Sequence, residues 1–324
     1  MGLTHFPNGL TSFGSVVSPN GPPMSGREFY VRKTTDANYD YWKNSMKHRM
    51  WGEDAIQTTI VGAIAAADDF DTIWIYPGEW KETETVAITQ DYLKVLAVET
   101  GVHGRCFNQT AIYQYDNVDT PCMSIEGANG VEVAGLWFVE YDPGTSNAPG
   151  INVAQTASCR GAYIHHNYFY GVASGATGPC HIRLGVDASY DCDSAYIYKN
   201  DFYLGGASDD SVGQIEWNSA TRAQIVQNNF WTHGNVGTAY AINIYDAAAP
   251  RGGIFDNRFM NIEVGLEGSS AVAINNPDCT GGDVQIDRNQ FINYGGDANC
   301  IAYMLNSTLG TNWNNEAVIA SDGA

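Results

Sequence analysis

Acidic side chains are the first candidates for chemistry in this sequence, because hydrolysis of a glycosidic bond uses two carboxyl groups roughly 5–10 Å apart. The chain contains 36 Asp and Glu against 16 Lys and Arg, which gives a net charge of −20. Such an excess produces close carboxylate pairs that have no catalytic role, and no pair stands out by its spacing. The acidic candidates are Asp187, Asp191, Asp193, Asp209, Asp210, Asp246 and Asp256. We therefore predict no catalytic residue.

Histidines are the next candidates, since His165, His166, His181 and His233 fall in the same part of the chain. A metal site would need three or four converging ligands with second-shell support. Neighbouring residues of a strand point to opposite faces, so we expect His165 and His166 to face apart. We predict structural or surface histidines, no metal site and no cofactor.

Five asparagines recur in the phrase Ile-x-x-Asn-x-Phe at separations of 33, 28, 29 and 32 residues. A group that returns in every repeat indicates a structural ladder, because an active site occurs once. We expect each asparagine at a bend, where its amide bonds the next repeat and where Asn tolerates left-handed backbone. The ladder residues are Asn167, Asn200, Asn228, Asn257 and Asn289, with Phe169, Phe202, Phe230, Phe259 and Phe291.

The elements that position these residues are short strands. A second phrase, apolar–x–apolar, runs in step with the first, as in Ile151–Val153 and Ile215–Trp217. A fixed period of this size marks a solenoid, and the short alternating apolar runs are typical of strands. The sequence predicts an all-β, single-stranded parallel β-helix of about 8 coils.

The regions outside the repeat suggest four segments. Residues 1–28 form an extended anchoring arm, and 29–71 a capping region with a helix over 53–67. The β-helix spans 72–304, and 305–324 close it. The arm is apolar without periodicity, so we expect it to lie on another surface. Its predicted partner contacts are His5, Phe6, Pro7, Leu10 and Phe13.

Charge and composition exclude several functions. A net charge of −20 repels nucleic acid and anionic lipid. The sequence has no apolar run of membrane-spanning length and no export signal at its N-terminus. Its seven cysteines lack a CxxC pair, so we expect buried, reduced thiols. We predict no nucleic-acid partner and no membrane partner.

Two stretches resemble known families. The phrase Ala-Ile…Ala-Ile-Ala-Ala-Ala…Asp-Thr-Ile-Trp-Ile-Tyr-Pro-Gly, which ends at Gly78, resembles the start of the pectin-lyase-like right-handed β-helices. The opening peptide, Thr4 to Gly14, looks like that of a group of tailed-phage virion proteins. This resemblance implies a structural virion protein, a capsid-surface decoration or spike, made in the host cytoplasm. It implies contact with the major capsid or another virion protein, and a homotrimer.

Many pectin-lyase-like proteins cleave polysaccharides, so the alternative is a tailspike-type protein that binds or cleaves a glycan. The paired-Asp and Gly-His-Gly phrases of polygalacturonases are missing from the sequence. The Trp-Ile-Asp-His and Arg-x-Pro-x-x-Arg phrases of pectate lyases are missing too. We therefore expect a protein that is not an enzyme.

Overall fold

The computed structural model describes most of the region that the repeat covers. The described residues are 11–12, 15–16, 26–36, 39–47, 55–98, 110–113, 120–141, 149–175, 180–185, 189–208, 212–232, 239–244, 251–261, 272–275, 284–292 and 316–318. The predicted arm contacts His5, Phe6, Pro7, Leu10 and Phe13 lie outside them.

The elements before the repeat are short. They are β1 (Thr11–Ser12), β2 (Ser15–Val16), β3 (Glu28–Val31), α1 (Tyr39–Lys47), β4 (Ile56–Gln57) and α2 (Ile60–Ala66). β1 and β2 pair antiparallel as a small hairpin within the predicted arm.

Twenty-six further strands follow in chain order. They are β5 (Thr72–Ile75), β6 (Gly78–Lys81), β7 (Val86–Ile88), β8 (Lys94–Ala97), β9 (Thr110–Tyr113), β10 (Met123–Ile125), β11 (Glu132–Ala134), β12 (Trp137–Tyr141), β13 (Ile151–Val153), β14 (Cys159–Arg160), β15 (Tyr163–His165), β16 (Tyr168–Gly175), β17 (Ile182–Leu184), β18 (Cys192–Asp193), β19 (Tyr196–Tyr198), β20 (Asp201–Ser208), β21 (Val212–Trp217), β22 (Ala223–Val226), β23 (Asn229–Thr232), β24 (Ala239–Ile244), β25 (Gly252–Phe255), β26 (Arg258–Asn261), β27 (Val272–Asn275), β28 (Val284–Asp287), β29 (Gln290–Ile292) and β30 (Glu316–Val318).

Three parallel sheets contain these strands except β14 and β18, which pair with each other. Successive coils of the chain add neighbouring strands to these sheets. Sheet I has the order β28-β25-β22-β19-β15-β11-β8-β5-β3-β4, and sheet II the order β30-β29-β26-β23-β20-β16-β12-β9-β6. Sheet III has the order β27-β24-β21-β17-β13-β10-β7. This topology confirms the predicted all-β parallel β-helix. Since β3 and β4 extend sheet I, the stacked sheet begins before the predicted start at residue 72.

The interior contains the predicted aliphatic and aromatic ladders. Ile164 pairs with Ile197, Ile197 with Ile225, and the series continues to Ile286. The phenylalanine rings stack at centroid distances of 4.8–5.0 Å from Phe169 to Phe291, and Phe138 extends the stack at 4.9 Å. Each of these side chains is buried, so the core is one continuous column along the helix axis.

The asparagines form the predicted ladder at the turn between sheets I and II. Asn228 Nδ2 donates to Ile197 O at 3.0 Å and to Asn257 Oδ1 at 3.0 Å, while its own Oδ1 accepts from the backbone N–H of Asn200 at 2.9 Å. The same pattern repeats from Asn167 to Asn289. These side chains are buried, and hydrogen bonding offsets the cost of burying an amide.

The left-handed residue of this turn is the one before the asparagine, which corrects the prediction that Asn adopts that conformation. Its φ lies between 53° and 56° at five successive turns. The five residues are His166, Lys199, Gln227, Asp256 and Arg288. Their side chains therefore follow one another along the corner between sheets I and II.

The capping helix is shorter than predicted. α2 begins after Thr59, whose Oγ1 accepts from the N–H of Gly62 at 3.0 Å. The buried carboxylate of Glu82 accepts from the N–H groups of Ile60 and Val61, a favourable place for negative charge. Ile56, predicted to lie in the helix, belongs to β4 instead.

Candidate functional site

The outer face of sheet I carries a group of polar and aromatic side chains. Lys94, Glu132, Tyr163 and Tyr196 lie in register on successive strands. Two residues further along the strands, His165 pairs with Tyr198 in the same way. Equivalent residues of neighbouring coils lie about 4.8 Å apart, so these side chains share one surface, and Lys94 contacts Glu132 and His165 contacts Tyr198.

Glu132, His165 and the next residue, His166, form a hydrogen-bonded chain. His165 Nε2 lies 3.1 Å from Glu132 Oε1, and His165 Nδ1 lies 2.8 Å from His166 Nδ1. Lys94 Nζ lies 3.0 Å from the other carboxylate oxygen of Glu132. The chain therefore runs from an ion-paired carboxylate through one imidazole to a second.

The left-handed backbone of His166 brings the two rings together. Its φ of 53° ends the alternation of the strand, so the rings approach edge to face with centroids 5.0 Å apart. The prediction that His165 and His166 face opposite sides is therefore wrong. Strand alternation holds only while both residues keep extended backbone, and His166 is already part of the turn.

The tautomers follow from the partners. A carboxylate only accepts, so Nε2 of neutral His165 carries the proton and its Nδ1 accepts from Nδ1–H of His166. Nε2 of His166 then bears a lone pair, and it has no hydrogen-bond partner among the described residues. His166 is only half-buried, so this nitrogen can meet a ligand.

The pKa directions agree with these protonation states. Burial lowers the pKa of His165 despite the opposing effect of Glu132, and burial and the neighbouring His165 and Lys199 lower the pKa of His166. Burial would raise the pKa of Glu132, but hydrogen bonds and charges from Lys94 and His165 outweigh it and leave that pKa lowered. At neutral pH the hydrogen-bonded series Glu132–His165–His166 thus contains a carboxylate and two neutral imidazoles.

Tyrosines form a platform beside the chain. Tyr163 is 44 % exposed. Tyr198 stacks on His165 at 4.5 Å and contacts Tyr196 at 4.7 Å between ring centroids. Burial raises the pKa of Tyr198, so its hydroxyl keeps its proton well above neutral pH. Lys199, which is exposed, occupies the turn position of His166 on the next coil.

The carboxylates considered from sequence form no catalytic pair in the described part of the chain. Asp193 accepts from Arg222 Nε at 2.8 Å, and this hydrogen bond lowers its pKa. Asp191 accepts from the backbone and the hydroxyl of Thr221, and Asp256 pairs with Arg288 at 2.8 Å. The Thr221 hydroxyl also lies 3.2 Å from Asp193 Oδ1 and so bridges Asp191 and Asp193. All three carboxylates are thus engaged by hydrogen bonds or arginine side chains. Asp187, Asp209, Asp210 and Asp246 lie outside the described residues.

The other two outer faces differ from that of sheet I. Sheet III carries an ion pair of Arg183 Nε and Glu216 Oε2 at 2.7 Å, and sheet II carries stacked rings of Tyr170 and Tyr203 at 5.1 Å. Both faces adjoin segments outside the described residues, whereas the turns next to Glu132, His165 and His166 are described. The candidate site is therefore the outer face of sheet I.

The remaining predicted groups have other surroundings. His181 is buried, and its Nε2 lies 3.0 Å from Tyr203 O, so it is structural as predicted. His233 lies outside the described residues. Within the described ranges, no three His, Cys, Asp or Glu side chains converge as metal ligands would. The helices of the same ranges include none that is long and apolar enough to cross a membrane.

The solved structures that match this chain include two of low sequence identity. A PL6 family alginate lyase, AlyGC, is 14 % identical with a TM-score of 0.48; the match covers 91 % of this chain and 40 % of the lyase. A pectin methylesterase in complex with a hexasaccharide is 13 % identical with a TM-score of 0.43; the match covers 80 % of this chain and 77 % of the esterase. No family model matches, and neither does a curated protein.

Both similar chains are enzymes by name. This finding contradicts the prediction that the chain is not an enzyme, and we correct that prediction. The motifs missing from the sequence excluded only those families whose phrases they are, whereas catalytic groups can arise elsewhere on the same fold.

Proposed function

We propose that this protein binds a polysaccharide along the outer face of sheet I and cleaves it with His166 as the base. The observation that carries the proposal is the hydrogen-bonded chain from Glu132 through His165 to His166. The chain fixes the tautomer of His166 and directs an unprotonated nitrogen to the surface. A neutral imidazole oriented by a second group is a common general base.

The neighbouring groups favour elimination at a uronic acid sugar. His166 Nε2 takes the proton from the carbon next to the carboxylate, and the released electron pair forms a carbon–carbon double bond. The bond to the glycosidic oxygen breaks with its electron pair on that oxygen, which takes a proton from Tyr198. The ring of Tyr198 lies 6.0 Å from that of His166. The ammonium group of Lys199 stabilises the charge that develops on the sugar carboxylate.

Hydrolysis fits this site less well. Hydrolysis needs a second carboxyl group on the opposite side of the bond. Glu132 is the only carboxylate in the described cluster around His165, and Lys94 and His165 engage both of its oxygens. Elimination instead needs one base, one acid and one cation, and each is present here.

Attachment to a virion is a separate part of the proposal and rests on the sequence alone. The opening peptide, with Phe6 and Phe13, resembles that of tailed-phage virion proteins. A β-helix that cleaves a surface glycan while its N-terminal arm is bound to a particle would combine both parts. Its partners would be another virion protein and further copies of this chain.

We expect purified protein to release products with a carbon–carbon double bond from uronate-containing polysaccharides. Ultraviolet absorbance and mass spectrometry would detect them, and in heavy-oxygen water no label should enter the new ends. Lys199→Gln should raise KM and lower kcat. The control Arg222→Gln removes a cation at the turn just before β22 of sheet I, and it should change neither constant. Labelled ends would overturn the elimination mechanism, and an inactive protein would overturn the function.

A further inference from the structure

Two aromatic rings are stacked on the surface at the other edge of sheet I. The rings of Phe70 and Tyr92 have centroids 4.8 Å apart and an interplanar angle of 7°. Phe70 is 50 % exposed and Tyr92 is 49 % exposed. The rings therefore stack face to face, and each covers one face of the other while about half of each side chain remains exposed.

The backbone at both positions is unfavourable for these residues. Phe70 has φ 69° and Tyr92 has φ 58°, both in the left-handed region. The same turn on the next two coils contains Gly130 at 66° and Gly161 at 69°, and glycine adopts this conformation without strain. Later coils carry Ser194 at 60° and Arg222 at 58° in this turn, so the turn accepts several residue types, and the stacked, half-exposed rings distinguish Phe70 and Tyr92.

The hydrogen bonds confirm that the two aromatic residues and the two glycines are equivalent. The N–H of Phe70 donates to Asp91 O at 2.8 Å, and that of Tyr92 to Asn129 O at 2.6 Å. The N–H groups of Gly130 and Gly161 donate to the next coil in the same way, at 2.7 Å and 2.8 Å. The turn is therefore a repeated structure, in which the residue type varies while the backbone is constant.

The two glycines leave room for the neighbouring rings. A Cβ atom at Gly130 would overlap the ring of Tyr92, so Tyr92 is packed between Phe70 and Gly130 and supports the Phe70 ring. A Cβ atom at Gly161 would lie 3.7 Å from the ring of Tyr163. Phe70, Tyr92 and Tyr163 thus mark a path from this edge to the platform beside His166. From coil and residue spacings, the path from Tyr92 to His166 is on the order of 20 Å long.

Charge differs between the two ends of this path. Lys199 and the neutral histidines surround the end at His166, whereas Asp68, Asp69 and Asp91 surround the stacked rings. The nearby Arg27 is engaged by Asp68 and Asp71. Acidic side chains repel a sugar carboxylate but accept hydrogen bonds from sugar hydroxyls.

From this geometry we propose that the exposed ring of Phe70, backed by the stacked ring of Tyr92, binds an uncharged pyranose ring of the same glycan whose uronic acid lies at His166. A flat aromatic face suits a sugar ring, whereas a cage for a cation would need rings at an angle. The substrate class is therefore a heteropolysaccharide with both uncharged and acidic sugars. This inference rests on the proposed function and names its substrate.

The test compares long and short substrates with the double variant Phe70→Gly, Tyr92→Gly. Glycine suits both backbone positions, so the variant should fold normally. For a long heteropolysaccharide we expect KM to rise about tenfold or more while kcat stays within about twofold. A short oligosaccharide that reaches only His166 should be cleaved at the normal rate. The control is Tyr190→Ala, which removes another exposed tyrosine outside the path and should change neither constant.

The outcomes separate this inference from the proposed function. An unchanged KM for the long substrate would overturn the inference, as would equally efficient cleavage of a pure uronate polymer, and both results would leave the cleavage activity in place. If the wild type cleaves no uronate polymer, the proposed function fails. Titration with an uncharged glucan oligosaccharide then tests the rings alone: binding that the double glycine variant loses supports the platform, and absence of binding overturns it.

Discussion

His166→Gln should lower kcat on a uronate-containing polysaccharide by roughly 100- to 10,000-fold, the usual contribution of a general base. Glutamine lacks a nitrogen that can accept the substrate proton, but its size keeps the neighbouring contacts. The fold should be retained, because Gln227 already occupies the same turn position two coils further along with φ 56°. Initial rates of double-bond formation, together with the melting temperature, measure both effects.

The matched control is Gln227→Ala, since this exposed residue shares the turn geometry of His166 but lies outside the platform. Its kcat and KM should equal those of the wild type. If His166→Gln keeps its activity, or if Gln227→Ala loses as much, His166 is not the base and the site must be sought on another face.

The same base predicts the acidic side of the pH profile. His166 acts only when neutral, and burial, His165 and Lys199 lower its pKa. The rate should therefore be constant at neutral pH and fall only below the usual histidine value of about 6.5. Lys199→Gln should move this limb to higher pH, because removing a nearby positive charge raises the pKa of the imidazole.

The fold could be predicted from sequence because its determinants repeat. Ile225, Asn228 and Phe230 recur in register on neighbouring coils, and each recurrence adds a contact of the same kind. A repeated sequence pattern still predicts the fold when one repeat departs from it. Leu136 takes the place of an asparagine, yet its N–H still donates to Asn167 Oδ1 at 3.0 Å. Because the coils stack, a short repeated motif determines the structure of the whole β-helix.

The site could not be predicted in this way because it occurs once. Glu132 and His165 are 33 residues apart, and only the coil spacing brings them together. The sequence does predict which residues lie on the outer face beside the repeated isoleucine. Ile164 and Ile197 are flanked by Tyr163, His165, Tyr196 and Tyr198. An alternating strand with a buried isoleucine must place both flanking residues on its outer face.

The prediction that His165 and His166 face opposite sides is wrong for a specific physical reason. Strand alternation ends at His165, because His166 has left the strand and adopted the left-handed conformation. Nothing in the pair His165-His166 marks that boundary. The asparagine after it does, because in every coil the residue before this asparagine occupies the turn. The ladder assignment therefore contained the information that places both rings on one side.

Phe230→Ala should lower the free energy of unfolding by about 3–5 kcal/mol, the usual cost of removing a buried aromatic ring. The ring is fully buried and stacks between Phe202 at 4.8 Å and Phe259 at 4.9 Å. Neighbouring coils cannot close the resulting cavity, because the backbone hydrogen bonds of sheet II hold β20, β23 and β26 in register. Denaturant unfolding followed by circular dichroism measures the change.

The control is Val226→Ala on the outer face of sheet I, where a half-buried side chain beside Ile225 is shortened. We expect a loss of about 1 kcal/mol or less, since an outer-face valine leaves no closed cavity. If both variants unfold at the wild-type denaturant concentration, Phe230 does not lie in the stacked core. Each coil of a solenoid contacts mainly its neighbours, so the loss should be greatest in the coils next to Phe230. Hydrogen exchange should therefore increase most in β20, β23 and β26.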